Sequence, residues 1–384
     1  MSNSPRIISI IPYKILPAQL GGEKGIALFN KYLAEHLEIT GIATKNNDPS
    51  FATNYKLLNI LSNSKSKYAN PFLYFRFRKE ITERKATHLL IEHPYFGWLA
   101  WLLKRTLNIT WVVHSHNIEY MRSKSIGRWW WKALMWYERW VYRKADIVFF
   151  ISEDDKKHAV NILGIEPAKS TAITYGIEQP AIPTDIEEAR SKIRTLHGIA
   201  RDEKILLFNG ALYHHTNYDA LKIILDIINP ALMAQGVKYK ILVCGKGLPD
   251  FFNGLKDYSD KNIIYAGFVD DISIYFKAAD VFLNPIISGG GVKTKAIEAI
   301  AMDCTVISSE IGALGLIREA CGNKLQIVPN EDWPNFSKLV IAALNNNDHT
   351  PQAFFDYYFW GSISKKVAQI IEQSVSNNHE FRNH

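Results

Sequence analysis

Short, almost wholly apolar runs alternate along the chain with longer stretches in which apolar residues recur every three or four positions. Apolar runs of this length fit strands buried on both faces, and the longer period fits helices that bury one side. In the first half this predicts strands at RIISIIP (6–12), THLLIEH (87–93), ITWVVHSH (109–116) and DIVFFIS (146–152), with helices over 25–37 and 129–144. A second series follows: KILLFNGA (204–211), YKILVCGKG (239–247), NIIYAGF (262–268), DVFLNPI (280–286) and CTVISS (304–309). Between the two lies STAITYGIEQPAIPTDIEEAR (170–190), with Gly176, Pro180 and Pro183, which is the best linker. Strand and helix in regular alternation imply α/β domains with a parallel sheet covered by helices on both sides. The expected division is 1–178, 179–352 and a closing segment 353–384, made of an aromatic anchor (AFFDYYFW), a last helix and a polar, frayed end (SNNHEFRNH).

Composition narrows the class without choosing a function. With 384 residues, 47% of them hydrophobic, the chain has material for two full cores. No window is apolar for about 18 residues, and the first residues lack the basic and apolar pattern of a leader, so a cytoplasmic protein is expected. Cys244, Cys304 and Cys321 lie far apart, without metal-ligand spacing, and read as buried thiols. The 45 Lys and Arg exceed the 38 Asp and Glu, a net charge of +7 spread without blocks. That balance suits nucleic acid, an anionic membrane or an anionic small substrate equally. Neither an RNA-binding aromatic motif nor a helix-turn-helix pattern is present, so no nucleic-acid partner is expected.

The candidate chemistry sits in ISGGGVKTKAIEAIAMDCTVISS (287–309). The order strand, glycine loop, helix, strand puts three glycines at the carboxyl end of a strand, where open α/β sheets hold ligands. Bare backbone and the unpartnered N–H groups of a helix start let a phosphate approach closely. Lys293, Thr294 and Lys295 add two charges and a donor, and Glu298 follows on the face of Thr294, roughly 10 Å beyond Gly291 at 1.5 Å per residue. Phosphates at one end and ribose hydroxyls at the other would suit a sugar nucleotide. A tight turn followed by a surface glutamate is the plainer reading of the same letters. The pattern is neither GxxxxGK[ST] nor G-x-G-x-x-G.

Beyond that loop, nearly the whole chain resembles the retaining glycosyltransferases of the GT-B fold, in the large group 1, family 4-like set that includes bacterial polysaccharide enzymes. The resemblance is carried by FLNPIISGGGVKTKAIEAIAMDCTVISSEIGALGL, by ILVCGKG and NIIYAGFVDDISIYFKAADVFLNP before it, by AITYGIE at the hinge, and by PAQLGGEKGIALFNKYLA and VVHSHNIEY in the first half. It implies two Rossmann-like domains facing a cleft, with a C-terminal helix crossing back to the first. It also implies transfer of a sugar, without metal or cofactor, from a UDP- or GDP-linked donor to a glycan or lipid-linked acceptor. Glu298 would hold the ribose, and Gly210, Gly290, Gly291, Val292, Lys293, Thr294 and Lys295 the diphosphate and sugar. Gly21 and Gly22 would approach from the opposite side, and His116 would be the catalytic residue beside the reacting sugar.

Two features, at three positions, depart from the family pattern. Gly290 stands where a glutamate is common, eight residues before Glu298, and Ala211 and Asn217 stand where an Arg and a Lys often follow the first strand of the second domain. Lys293 or Lys295 is the expected replacement cation. The segment RWWWKALMWYERWVYRK (128–144) has two readings: Trp130, Leu134, Tyr137 and Val141 as a core stripe with Trp129 and Trp136 covering neighbours, or an interfacial helix on the inner membrane face. An epimerase acting on the sugar nucleotide, or a non-catalytic nucleotide-sugar or nucleic-acid binding module, is the alternative function.

Overall fold

The computed structural model describes residues 4–18 and 21–380 and divides into two units, one formed by residues up to Glu178 together with the segment from Trp360, the other by Gln179–Phe359. Gln19 and Leu20 of the glycine-loop stretch, and 381–384 of the polar end, lie outside the described residues.

The first unit is built on seven parallel strands: β1 (Arg6–Ile10), β2 (Glu38–Thr44), β3 (Lys56–Leu61), β4 (His88–Glu92), β5 (Thr110–Ser115), β6 (Ile147–Phe150) and β7 (Ser170–Ala172). Their order is β3-β2-β1-β4-β5-β6-β7. The second holds β8 (Lys204–Asn209), β9 (Tyr239–Cys244), β10 (Ile263–Gly267), β11 (Val281–Asn284), β12 (Thr305–Ser309) and β13 (Leu325–Val328), ordered β10-β9-β8-β11-β12-β13. Each sheet therefore reverses its winding once, between β1 and β4 and between β8 and β11, and ligands of such sheets bind outside the strand ends at that point.

The nine strands expected from apolar runs are all present, and four more were not expected. β2 (EITGIAT) hides its burial behind Thr and Gly41, where an added Cβ would sit 2.9 Å from Leu57. β3 and β13 carry Asn59 and Gln326 in mid-strand, and β7 lies inside the linker stretch. The closing helix runs Trp360–Glu380, further than its polar end suggests, and packs on the helix Gly21–Leu33. Trp360 anchors it: the ring lies against Phe29 and Tyr175, and Gly176 leaves room that a Cβ, 2.5 Å from the indole, would take.

The aromatic segment departs from the core-stripe reading. Its helix spans Trp131–Lys144 and buries Glu138, Val141 and Tyr142, while Leu134 and Tyr137 pack only partly. Trp129 is 89% exposed and Trp136 59%, the latter with Arg139 over its ring. The face is set by a carboxylate: Glu138 accepts hydrogen bonds from Glu119 N (2.9 Å) and Tyr120 N (2.7 Å), the open start of the helix Glu119–Ser125. A hydrophobic count along one helix does not contain that partner.

Candidate functional site

In the second unit, the loops after β8 and β11 meet beside the reversal point. Gly210 follows β8 and donates its N–H to Cys244 O at the end of β9 (3.0 Å). Gly245, at φ 150°, passes so close that an added Cβ would lie 1.9 Å from Gly210 O. Only glycine permits this backbone contact. On its other side Gly210 leaves space for Lys295, whose Nζ would be 2.7 Å from a Cβ there. That ammonium donates to Asn209 O (2.9 Å) and Asn217 Oδ1 (3.1 Å). Burial pushes its pKa down to about 8, opposed by Glu298 and reinforced by Lys293.

The glycine loop itself is bent by Gly289 (φ 89°) and Gly291 (φ 75°), both in the left-handed region. Lys293 Nζ donates to Gly289 O and Gly290 O, each at 3.3 Å. The helix Thr294–Ala301 then starts at Lys293 with no side-chain cap; the N–H groups of Lys293, Thr294 and Ala296 donate instead to the carbonyls of Leu314, Val292 and Lys293. Its buried side is Ala296, Ile297, Ala299, Ile300 and Ala301, while Thr294, Lys295 and Glu298 are half-buried on the other side. Val292 packs against Gly315, whose φ of 82° and 2.6 Å clearance again require glycine. Gly290 differs: nothing lies within 4 Å of an added Cβ, so packing does not explain the loss of a side chain there.

In the first unit, β4 and β5 pair in register, Glu92 opposite His114. Side chains two residues apart on a strand share a face, and His116 joins His114 with ring centroids 4.0 Å apart. Both rings converge on one oxygen: Glu92 Oε2 lies 2.9 Å from His114 Nδ1 and 2.7 Å from His116 Nε2. Glu92 and His114 are buried, and the His116 side chain keeps 12% of its surface. Burial alone would raise the Glu92 pKa, but the two rings outweigh it and hold the carboxyl below its usual range. Burial, with the charge of His116 beside it, lowers His114 to about 4, so its ring is neutral at neutral pH.

A second layer stands against this one. His93 sits at φ 68°, ψ 159°, a region costing of order 1–3 kcal/mol for a side-chain-bearing residue. Its ring stacks on Tyr95, lies 4.7 Å from that of His116, takes the Tyr13 hydroxyl at 2.7 Å on Nε2 and places Nδ1 3.3 Å from Glu119 Oε1. Sequence reasoning singled out His116 and left His93 and His114 unassigned. Glu92, Glu119 and Tyr13 escaped it because they join the cluster only through strand register and loop packing. Among the described residues, Glu92, His114 and His116 also bring donor atoms within 4.8 Å of one another, a set able to hold a metal ion that the resemblance does not imply.

Gly21 and Gly22 open the helix Gly21–Leu33 and are exposed, and an added Cβ at Gly22 would touch nothing within 4 Å. Local packing therefore does not call for glycine at Gly22.

Comparison with known proteins places this arrangement. Residues 21–179 match the family described as Glycosyltransferase Family 4, and residues 203–346 match Glycosyl transferases group 1. The chain belongs to the group 1, family 4 glycosyltransferases. A curated relative, an uncharacterized 44.6 kDa protein in the cps region of Klebsiella pneumoniae, is 25% identical over 175 residues, 43% of this glycosyltransferase and 44% of the relative. The match thus spans less than half the length of that relative. Among solved structures, a glycosyltransferase from Rickettsia africae aligns with a TM-score of 0.73 at 17% identity, over 98% of this chain and 100% of that one. Sucrose-phosphate synthase of Thermosynechococcus elongatus gives 0.72 at 18%, over 97% and 100%, and Anabaena HepE, solved with UDP, gives 0.70 at 12%, over 96% and 100%. These likenesses establish the GT-B fold. No helix among the described residues of the glycosyltransferase is long and apolar enough to cross a membrane.

Proposed function

We propose that this glycosyltransferase retains the anomeric configuration of a sugar it takes from a UDP- or GDP-linked donor, and passes that sugar to a glycan or lipid-linked acceptor in polysaccharide assembly. The observation that carries this is the position of Lys295. Its ammonium stands over Gly210 and against Asn217, beside the two places where the family's cations are replaced by Ala211 and Asn217. A cation lost from one loop is thus supplied from the first turn of the next helix.

Departure of a nucleoside diphosphate leaves charge on its phosphate oxygens while the anomeric carbon becomes oxocarbenium-like. Donors fixed in advance lower that barrier because they need no reorganisation. Lys293 and Lys295 would supply such donors without calling on a metal. Glu298, half-buried one turn further along the helix, would meet the ribose hydroxyls. The acceptor then approaches on the face the diphosphate leaves. UDP bound to HepE and the cps setting of the Klebsiella relative support the donor class and the polysaccharide context. Titration of UDP, GDP, ADP and CMP by calorimetry tests the reading: one diphosphate should bind, and Glu298→Ala should weaken it about 10-fold or more, the scale of a charged hydrogen bond. No binding of any of the four refutes it.

The exposed aromatic segment favours an acceptor held at an anionic membrane. Met121, Ile126, Trp129 and Trp136 are exposed close to Lys124, Arg128, Lys132 and Arg139, with Lys124 and Lys132 over the ring of Trp131 and Arg139 over that of Trp136. Apolar rings interleaved with cations are what an interfacial surface requires. Vesicles containing anionic lipid should retain the wild type in a flotation assay and release the Trp129→Ser, Trp136→Ser double variant, while neutral vesicles retain neither.

A further inference from the structure

The buried carboxylate of Glu92 occupies the end of β4 with two histidines turned onto one of its oxygens and Asn30 Nδ2 donating to the other at 3.3 Å. Placing a carboxylate out of water is costly unless its oxygens are met. His114 cannot meet this one well: both its ring nitrogens lack hydrogen-bond geometry, and Nδ1 merely lies 2.9 Å away. His116 Nε2, at 2.7 Å, does. An ionised carboxylate only accepts, so Nε2 must carry the proton. Nδ1 of His116 is then left without its proton when the ring is neutral, and it meets no hydrogen-bond partner among the described residues. The ring cannot turn freely, since His114 and His93 stand against it at centroid distances of 4.0 and 4.7 Å.

We propose that Glu92 is a positioning residue of the transfer reaction: its buried carboxylate accepts a hydrogen bond from the Nε2–H of His116, so that the ring presents Nδ1 as a fixed acceptor for a sugar hydroxyl. The inference rests on the transferase reading for its substrate, but the geometry behind it belongs to the first unit alone. It also bears on the departure at Gly290. The carboxylate common at that position is missing from the second unit, whereas the first unit holds one that acts through a histidine instead of touching sugar itself. His114, neutral and wedged between Phe29 (4.4 Å) and His116, keeps water from the carboxylate, and the strained His93 closes the other side of the ring.

Two measurements test this separately from the transferase reading. Long-range nitrogen–proton correlation spectra of protein labelled at histidine should show His116 as the tautomer with hydrogen on Nε2, and Glu92→Gln should lose that preference, because an amide offers a donor as readily as an acceptor. In the transfer assay Glu92→Gln should lower kcat about 100-fold, the size expected for a misplaced acid-base group, with donor KM changed less than about threefold. Its melting temperature should hold or rise, since a buried charge has been removed. A merely structural glutamate would lower melting temperature and leave the tautomer unchanged. The proposal is overturned if wild-type His116 carries its proton on Nδ1, if Glu92→Gln keeps full kcat, or if elemental analysis finds one equivalent of a transition metal lost in Glu92→Gln. A wild type that binds no nucleotide and transfers no sugar would refute the transferase reading while the tautomer still decides the role of Glu92.

Discussion

The two candidate regions solve opposite problems. The loop site of the second unit is built from what is missing: Gly210, Gly245, Gly289, Gly291 and Gly315 remove side chains so that backbone can pass backbone and an ammonium can reach into the gap. The cluster of the first unit is built from what is present, with Glu92, His93, His114 and Glu119 buried against one another and held by strand register. One region sets two half-buried ammonium groups against backbone carbonyls. The other sets a buried carboxylate against two histidines. Backbone sites of the first kind suit phosphate, which every nucleotide donor shares; side-chain sites of the second kind suit discrimination between hydroxyls, where one misplaced proton matters.

The sharpest way to break this comparison is to remove the charge that fills the glycine gap. Lys295→Met keeps the length of the side chain and deletes its ammonium, and should weaken binding of the preferred nucleoside diphosphate about 10- to 100-fold by calorimetry, as a charge-assisted contact implies. The pH dependence carries the same signature. The folded pKa of Lys295 is depressed to about 8 from 10.5, so the burden of its buried charge is complete below about 8 and relieved as pH rises toward 10.5. A diphosphate restores the charged form, and binding at pH 8.5 should therefore take up a proton. Titrations in two buffers of different ionisation enthalpy should differ in wild type and agree in Lys295→Met. Lys293, also lowered by burial, and Glu298 are the other charges facing the group, so Lys293→Met is the control that should keep most of the uptake.

The same contrast explains how much could be read in advance. Glycine loops, apolar strands and a lysine pair are local signals, and ISGGGVKTKAIE declares its turn and helix start within twelve letters. The reach of Lys295 to Asn217, 78 residues away, is not local, yet the absence of a cation near Asn217 pointed toward it. Nothing comparable marked the first unit. Glu92 and His116 are 24 residues apart on neighbouring strands, and only the register of β4 against β5 turns them into a pair. The aromatic helix failed for a similar reason: its buried face follows Glu138, which answers to backbone amides in a separate helix and not to the hydrophobic period.

Glu138 supplies the gentlest test, because it supports the cluster from behind without touching a sugar. Burial raises its pKa to about 7, although the amides of Tyr120 and Glu119 and the Tyr142 hydroxyl all lower it. Between the ordinary carboxylate value and about 7 the folded chain thus holds a proton that the unfolded chain has released, so this group makes the protein less stable as pH rises through that window. Glu92 is displaced in the other direction and loses its contribution only as pH falls below the ordinary value, which separates the two. In Glu138→Gln one amide bond at the start of Glu119–Ser125 is lost at every pH, giving a constant offset, but the slope attributable to ionisation vanishes. Melting temperatures at pH 5 and pH 7.5 should therefore converge in the variant relative to wild type, by an amount equivalent to on the order of 1 kcal/mol. An unchanged difference would mean that Glu138 stays ionised across the range, and that the start of the helix bearing Glu119 is held by a full charge.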